Sequence, residues 1–176
     1  QQQYDLVFLD LKMPGMDGVE TLRSLYEHDC RAEVYIVTAF HPEFLDRLEA
    51  AEREAWDRLQ EALADAPHWC GEGFRLVRRE WPTDIGPVDL MCRDEDDGWI
   101  AVEIKRVATI DAVEQLARYL ERIRLDPAMA DCRGVLAAQV IKPQARVLAE
   151  SRGIACVEVD LAVVRGEREP DLTLFA

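Results

Sequence analysis

Three side chains that could act together in hydrolysis, Asp89, Glu103 and Lys105, lie within one short stretch of the chain. The stretch runs from Gly86 to Lys105, and its acidic centre around Asp96 has the composition of a turn between two strand-like flanks. An antiparallel hairpin centred on Asp96 would place Asp89 directly opposite Glu103. Since alternate residues of a strand share a face, Lys105 would lie beside Glu103. The spacing therefore predicts two carboxylates and one ammonium group on one face.

These residue types are suited to metal-assisted cleavage of a phosphodiester. Two close carboxylates repel each other unless a cation lies between them. A hard divalent ion such as Mg²⁺ takes oxygen ligands and keeps waters for a substrate phosphate. A lysine beside the ion can polarise an attacking water or stabilise the charged transition state. The alternative is a solvated hairpin face without chemistry. Because the register brings all three side chains together, we favour the metal site.

The sequence around this stretch predicts the strands that hold it in place. Alternating apolar residues give the hairpin a second, buried face. The residues expected on that face are Val88, Leu90, Ile100, Val102 and Ile104. Residues 74–81 are expected to form another half-buried strand that ends near Glu80, and residues 133–139 and 154–160 are expected to form two more.

Two helices are expected between these strands. The first begins after Thr109 or Asp111, and the second runs from Pro143 to Gly153, with proline first and glycine last. The resulting order of helix, three strands, helix, strand, helix and strand predicts an α/β fold with a mixed sheet flanked by helices. On the first of these helices Gln115 and Tyr119 are one turn apart and face the same way.

The N-terminal third has a different pattern. Strands are expected at 4–10 and 33–40 with a helix at 19–28 between them, followed by a long charged helix from Pro42 to about Leu63. This order predicts parallel strands with a right-handed crossover. Two strands and one helix cannot bury their own faces, so the segment must pack on something else. The long helix could be a rigid arm or a dimer seam, but after Trp56 we interpret it as the first helix of the next domain.

Composition and charge limit the possible functions of the 176 residues. The chain is long enough for one domain, or for one domain and a fragment. Its net charge of −14 argues against DNA binding by bulk electrostatics, although residues 71–176 hold 15 of the 21 basic side chains. Five cysteines without a C-x-x-C pair indicate a reducing compartment, and no signal peptide or transmembrane segment is expected. We therefore expect a cytoplasmic protein without a membrane partner.

Two motifs near the N terminus resemble a response-regulator receiver domain. They are D-L-K-M-P-G-M-D-G, which begins at Asp10, and V-T-A-F, which contains Thr38. The resemblance covers about residues 4–48 and implies that Asp10 accepts a phosphoryl group and that Thr38 senses it. The acidic pair that binds Mg²⁺ in receivers and their later lysine have no counterpart here. We therefore interpret the segment as an incomplete flavodoxin-like receiver fragment rather than a working switch.

Asp89, Glu103-x-Lys105 and Gln115-x-x-x-Tyr119, in this order, resemble the PD-(D/E)xK nuclease superfamily, specifically its RecB-like branch. The stretches LVRREW, IGPVDLMCRD, WIAVEIKR and DAVEQLARYLE further resemble the C-terminal domain of the NucS family, also called EndoMS. That family consists of mismatch-specific DNA endonucleases. The resemblance covers about residues 72–176 and implies a restriction-endonuclease-like fold.

The resemblance implies a role for each matching residue. Asp89 and Glu103 would hold Mg²⁺ or Mn²⁺, Lys105 would position the water, Gln115 would complete the pocket, and Glu80 would be a further acid near the metal. The expected contacts to double-stranded DNA are Arg78, Arg79, Arg118 and Tyr119. Without the resemblance, Gln115 could equally be a polar residue at the edge of a packed helix, and the arginines could be solvated surface charges.

The expected organisation is a receiver-like fragment at 1–48, a helical linker or first nuclease helix at 49–71, and a nuclease domain at 72–176. The N-terminal domain with which NucS proteins bind DNA and dimerise has no counterpart here. We therefore expect weak or unselective cleavage unless a partner subunit supplies recognition, and we expect a homodimer or a recognition partner. A signalling protein whose receiver controls a DNA-binding output is one alternative, and an inactive interaction module is another. The intact set of candidate metal ligands favours the endonuclease.

Overall fold

The chain folds into two compact units in a computed structural model that describes residues 4, 6–28, 30–38 and 42–168. The first unit is Gln1–Arg58 and the second is Leu59–Ala176. The boundary lies inside helix α2 (Leu45–Asp65), so this helix supplies residues to both units.

The first unit contains the predicted parallel strand pair. Strands β1 (Leu6–Leu9) and β2 (Glu33–Ile36) are parallel and are joined through helix α1 (Gly18–Glu27). Asp17 caps α1 in a capping box with Glu20, which satisfies backbone donors at the helix start. The core of this unit contains Leu9, Leu11, Val19, Leu22 and Tyr26 together with Ala51 and Ala55 of α2. The predicted end of the second strand, at 39–40, lies outside the described residues.

The second unit is built on a five-stranded mixed sheet. Its strands are β3 (Arg75–Thr83), β4 (Gly86–Arg93), β5 (Trp99–Ala108), β6 (Arg133–Ile141) and β7 (Ala155–Glu158). They lie in sequence order, with antiparallel pairing from β3 to β5 and parallel pairing from β5 to β7. Helices α3 (Ile110–Ile123), α4 (Pro143–Ser151) and the short α5 (Leu161–Val164) complete the unit. The predicted α/β fold with a mixed sheet is confirmed.

Both faces of this sheet are buried. One face packs against α3 and α4, and the other packs against the end of α2 and α5. The α3-side cluster includes Met91, Ala101, Leu116, Leu120 and Leu136, and the α2-side cluster includes Leu59, Leu63, Leu90, Ile100, Val102 and Ile104. The sequence predicted a single core face for the hairpin, and it wrongly placed Val88 with Leu90. Val88 instead packs in the α3-side cluster, where β4 has turned away from β5.

The described residues also bear on the cysteines and on membrane insertion. All five cysteines are free thiols, as predicted. Burial raises the pKa of both Cys70 and Cys92 to about 12, so these thiols stay protonated and serve as small core residues. Within the described ranges, no helix combines the length and the apolar character that a bilayer crossing requires.

Candidate active site

The candidate site is formed where strands β4 and β5 separate. Their ladder runs from Arg93↔Trp99 to Leu90↔Val102, which is the predicted register, and it ends one residue before Asp89. There the Asp89 side chain, rather than the β4 backbone, bonds to β5: its Oδ2 accepts from the Ile104 backbone N–H at 2.6 Å. The carboxylate is thereby fixed beside the residue that follows Glu103.

Glu103 is the most deeply buried of the acidic side chains in this site, with 1% of its surface exposed. Lys105 Nζ donates to Glu103 Oε1 at 2.6 Å, which brings these two predicted residues together. Glu103 Oε2 is buried and has no hydrogen-bond partner within the part of the chain that the structure describes. A buried carboxylate oxygen without a donor is costly, so this atom is suited to contact a cation.

The raised pKa values of the two carboxylates also favour the binding of a cation. The pKa of Glu103 is raised to about 7, because burial and, to a smaller extent, the charge of Asp89 outweigh the opposing effect of Lys105. Burial likewise raises the pKa of Asp89, against the Ile104 N–H and Lys105, which lower it. Lys105 alone therefore does not compensate two buried acids. A divalent cation between them would do so.

The donor set fits a hard divalent ion that retains part of its water shell. Asp89 and Glu103 supply carboxylate oxygens, which are the ligands that Mg²⁺ and Mn²⁺ prefer. Among the described residues, no three His, Cys, Asp or Glu side chains are grouped closely enough to enclose an ion. Mg²⁺ commonly binds through one or two carboxylates together with waters and substrate oxygens, so a complete protein cage is not required.

The structure also brings Glu80 close to this pair. The pairs Arg79↔Leu90 and Trp81↔Val88 put Glu80 level with Asp89 across the β3–β4 ladder, and the charge of Glu80 raises the pKa of Asp89. Glu80 has a φ of 48°, which is unfavourable for a residue with a Cβ and is typical of functional sites. Strand β3 continues past it to Thr83, so the prediction that the strand ends near Glu80 was wrong.

We expect Glu80→Gly to separate stability from activity. Glycine tolerates a positive φ, so the free energy of unfolding should rise by about 1 kcal/mol. Cleavage should fall about tenfold, because a carboxylate beside Asp89 is lost. Urea unfolding and a cleavage assay measure the two effects. Glu80→Ala is the matched control: it removes the same carboxylate but keeps the strain, so it should lose activity without gaining stability. Unchanged cleavage by both variants would remove Glu80 from the site.

On helix α3, Gln115 and Tyr119 contact each other as their spacing predicts. Gln115 Nε2 donates to the Tyr119 hydroxyl at 3.0 Å. Tyr119 is only 6% exposed, however, which argues against the direct DNA contact expected from the sequence. A buried tyrosine whose hydroxyl is hydrogen-bonded instead orients the side chain that it contacts. We therefore assign Tyr119 to positioning Gln115.

The three predicted DNA-contacting arginines lie in different places. Arg118 is exposed on α3, three residues after Gln115, and Arg78 is exposed on β3 opposite Met91 of the α3-side cluster. Arg79 pairs with Leu90 and so lies on the opposite, α2-side face. There its Nη2 donates to Gln60 Oε1 at 2.9 Å. The structure therefore does not group Arg79 with the carboxylates.

Gln60 is a polar residue of this region that sequence reasoning missed. It is 2% exposed, and its Oε1 holds the Arg79 guanidinium. The signal for it was weak: Gln60 lies four residues after Trp56 and three before Leu63, on the apolar side of a helix rich in charge. A buried glutamine at such a position needs a partner, but the sequence does not indicate which one.

In the first unit, the predicted phosphoacceptor Asp10 follows β1 directly. It is exposed, and its Oδ1 accepts from the Lys12 backbone N–H at 3.1 Å. Thr38 follows β2 and is half-buried. The positions are those that the receiver-like motifs predict, and the phosphoryl chemistry stays a prediction.

Comparisons with known families divide the chain near the boundary between its two compact units. A family model described as the endonuclease NucS C-terminal domain matches residues 55–173. A second model, described as the response regulator receiver domain, matches residues 1–65. The first match includes every candidate metal ligand and Lys105.

Curated relatives agree with the first match. An endonuclease NucS from Corynebacterium efficiens is 57% identical over 119 residues, which are 68% of this chain and 52% of that protein. One from Streptomyces coelicolor is 57% identical over 117 residues, which are 66% and 52%. The chain thus spans about half the length of these relatives.

Two solved structures share the fold of the matched region. The structure of an EndoMS–dsDNA complex is 28% identical and has a TM-score of 0.54, with coverage of 59% of this chain and 44% of that one. A repair endonuclease from Pyrococcus abyssi is also 28% identical, with a TM-score of 0.55 and coverage of 59% and 46%.

Proposed function

Because the chain belongs to the family of the endonuclease NucS C-terminal domain, we propose that it is a divalent-metal-dependent endodeoxyribonuclease that hydrolyses phosphodiester bonds in double-stranded DNA. The observation that carries this proposal is the buried Asp89–Glu103–Lys105 group, in which one Glu103 oxygen is unsatisfied within the described chain. The family match does not favour the alternative of a receiver that controls a non-catalytic DNA-binding domain.

Each residue of the group has a distinct task in this proposal. Asp89 and Glu103 hold Mg²⁺ or Mn²⁺, and the ion, when bound, supplies charge neutralisation and a water of lowered pKa. The Ile104 N–H fixes the Asp89 carboxylate before the ion arrives. Lys105 holds Glu103 and has two further N–H donors with which to orient the attacking water. Gln115, oriented by Tyr119, donates to an oxygen of the substrate phosphate.

The raised pKa of Glu103 predicts how metal-free stability depends on pH. The folded state binds this proton more tightly than the unfolded state, so stability is fully present below the ordinary pKa of 4.5 and is lost as the pH rises towards about 7. The loss should be on the order of 3 kcal/mol. Urea unfolding at pH 5 and pH 8 in EDTA measures it. Mg²⁺ should restore stability at pH 8, and Glu103→Gln should remove most of the pH dependence. A flat profile would contradict the buried, uncompensated carboxylate.

We further propose that this chain cleaves duplexes with little selection for mismatches unless a partner subunit supplies recognition. The basis is that residues 55–173 match the C-terminal domain of NucS, while residues 1–65 match a receiver domain. Labelled duplexes, one matched and one with a G·T mismatch, test this in Mg²⁺ or Mn²⁺ against EDTA. Similar cutting of both supports the proposal. Cutting of the mismatch alone would show that recognition resides in this chain.

A further inference from the structure

The tip of the β3–β4 hairpin, residues Thr83 to Gly86, is held in one conformation at the surface. The Thr83 hydroxyl donates to the Gly86 carbonyl oxygen and accepts from the Ile85 N–H at 3.3 Å. Pro82 and Pro87 lie opposite each other at its base, and each ring fixes its φ. The tip is therefore ordered before it meets any ligand.

The same tip is bound to helix α3. Arg122 Nε donates to both carboxylate oxygens of Asp84 at 2.9 Å, and its Nη2 adds another bond. Gly86 has a φ of +127°, and a Cβ there would lie 3.1 Å from the Tyr119 hydroxyl. Since that hydroxyl accepts from Gln115, the tip packs on the residue that orients Gln115. The tip is thus linked through Tyr119 to Gln115, which the proposed function places at the substrate phosphate.

The apex of this fixed tip presents an apolar side chain to solvent. Ile85 is 47% exposed and lies four residues from Asp89 along the chain. At about 3.3 Å per residue, this is roughly 13 Å, or about four base pairs of duplex. A duplex with its scissile phosphate at the carboxylates therefore passes close to the tip. Apolar side chains on such projections are used by DNA-binding proteins to pack against base steps.

A carboxylate at the same tip would ordinarily repel the phosphates of DNA. Asp84 is exposed, and its negative charge would face the phosphates. Arg122 compensates this charge through the paired geometry described above, and it lowers the pKa of Asp84, so the carboxylate stays ionised and paired. The tip thus exposes the apolar Ile85 next to an Asp84–Arg122 ion pair that has no net charge.

We propose that this hairpin tip is a duplex-contacting element, in which Ile85 packs against deoxyribose and base edges about four base pairs from the scissile phosphate while Arg122 neutralises Asp84. The inference rests on the proposed function, because it places double-stranded DNA at the carboxylates. It adds a DNA contact within the nuclease unit itself. The contact is apolar, so salt should weaken it less than it weakens contacts between arginine and phosphate.

Equilibrium binding of a labelled duplex to the full chain tests the apolar contact, with Ca²⁺ in place of Mg²⁺. Ile85→Ser should weaken binding about tenfold without changing the salt dependence. Val147→Ser is the matched control, because Val147 is an apolar residue of α4 that is 68% exposed. It should bind like the wild type. Equal affinity of Ile85→Ser and wild type, an equal loss in both variants, or no duplex binding by the wild type would overturn the proposal.

A double-mutant cycle that removes the charge of each partner tests the role of Arg122. Arg122→Gln should weaken binding about tenfold, because it exposes the charge of Asp84, and a second change, Asp84→Asn, should restore affinity to within about twofold. A double variant as weak as Arg122→Gln alone would overturn the neutralising role. Binding is measured without cleavage, so a failure of the proposed nuclease activity is distinguishable: it would give Ile85-dependent binding and no cutting.

Discussion

Replacing Glu103 by glutamine should reduce metal-dependent DNA cleavage by about 1,000-fold. The substitution keeps the shape of the side chain and removes the charge that Mg²⁺ or Mn²⁺ needs. It should not unfold the protein. Glu103 is buried and has a raised pKa, so its ionised form is a cost to the metal-free fold. Lys105, its partner, is 28% exposed and can turn to water when the charge is removed.

The measurement combines cleavage rates with thermal unfolding at pH 8. In EDTA, Glu103→Gln should melt at the same temperature as the wild type or above it. Added Mg²⁺ should raise the melting temperature of the wild type and leave that of the variant unchanged, because a ligand stabilises only the state that binds it. A variant that cleaves within threefold of the wild-type rate would remove Glu103 from the active site. A large loss of stability would show that the carboxylate is structural.

Replacing Lys105 by methionine should reduce cleavage about 100-fold or more while metal binding persists. Methionine keeps an unbranched apolar side chain but cannot orient a water or stabilise the developing phosphate charge. Removal of a cation next to Glu103 should leave Mg²⁺ binding the same or tighter at a pH above 8, where the carboxylate is ionised. This outcome would assign the lysine to the chemistry rather than to holding the ion.

Mg²⁺ titration followed by thermal shift, together with single-turnover cleavage, separates these two effects. Lys105→Arg is the informative control, because it keeps the positive charge but replaces a compact ammonium by a planar guanidinium. It should remain at least tenfold below wild type. If Lys105→Met cut DNA at the wild-type rate, the assignment of Lys105 to water orientation would be wrong. If it lost Mg²⁺ binding, Lys105 would instead be needed to assemble the site.

Much of the fold and part of the site followed from simple periodicity. The acidic turn and the alternating flanks were sufficient to predict the register of the β4–β5 hairpin, and strand alternation alone placed Glu103 beside Lys105. Helical spacing was sufficient to predict the contact between Gln115 and Tyr119. These contacts are local, so the period of the strand or helix determines them.

The contacts that could not be predicted depend on breaks in that periodicity. The β4–β5 ladder ends at Leu90, which lets Asp89 bind the Ile104 N–H and turns Val88 to the α3 side. Strand alternation alone could not place Arg79 either, because both faces of the sheet are buried and nothing local distinguishes them. The attachment of Asp84 to Arg122 joins residues 38 positions apart, beyond the reach of any local rule.

Cleavage of a covalently closed circular duplex by the full chain tests whether the buried carboxylates form a catalytic metal site. A closed circle has no ends, so only an endonuclease can nick or linearise it. We expect nicking in Mg²⁺ or Mn²⁺, no nicking in EDTA, and loss of activity in Glu103→Gln measured in parallel. Nicking that persists in EDTA, or that is unchanged in Glu103→Gln, would contradict the assignment of the buried carboxylates as a catalytic metal site.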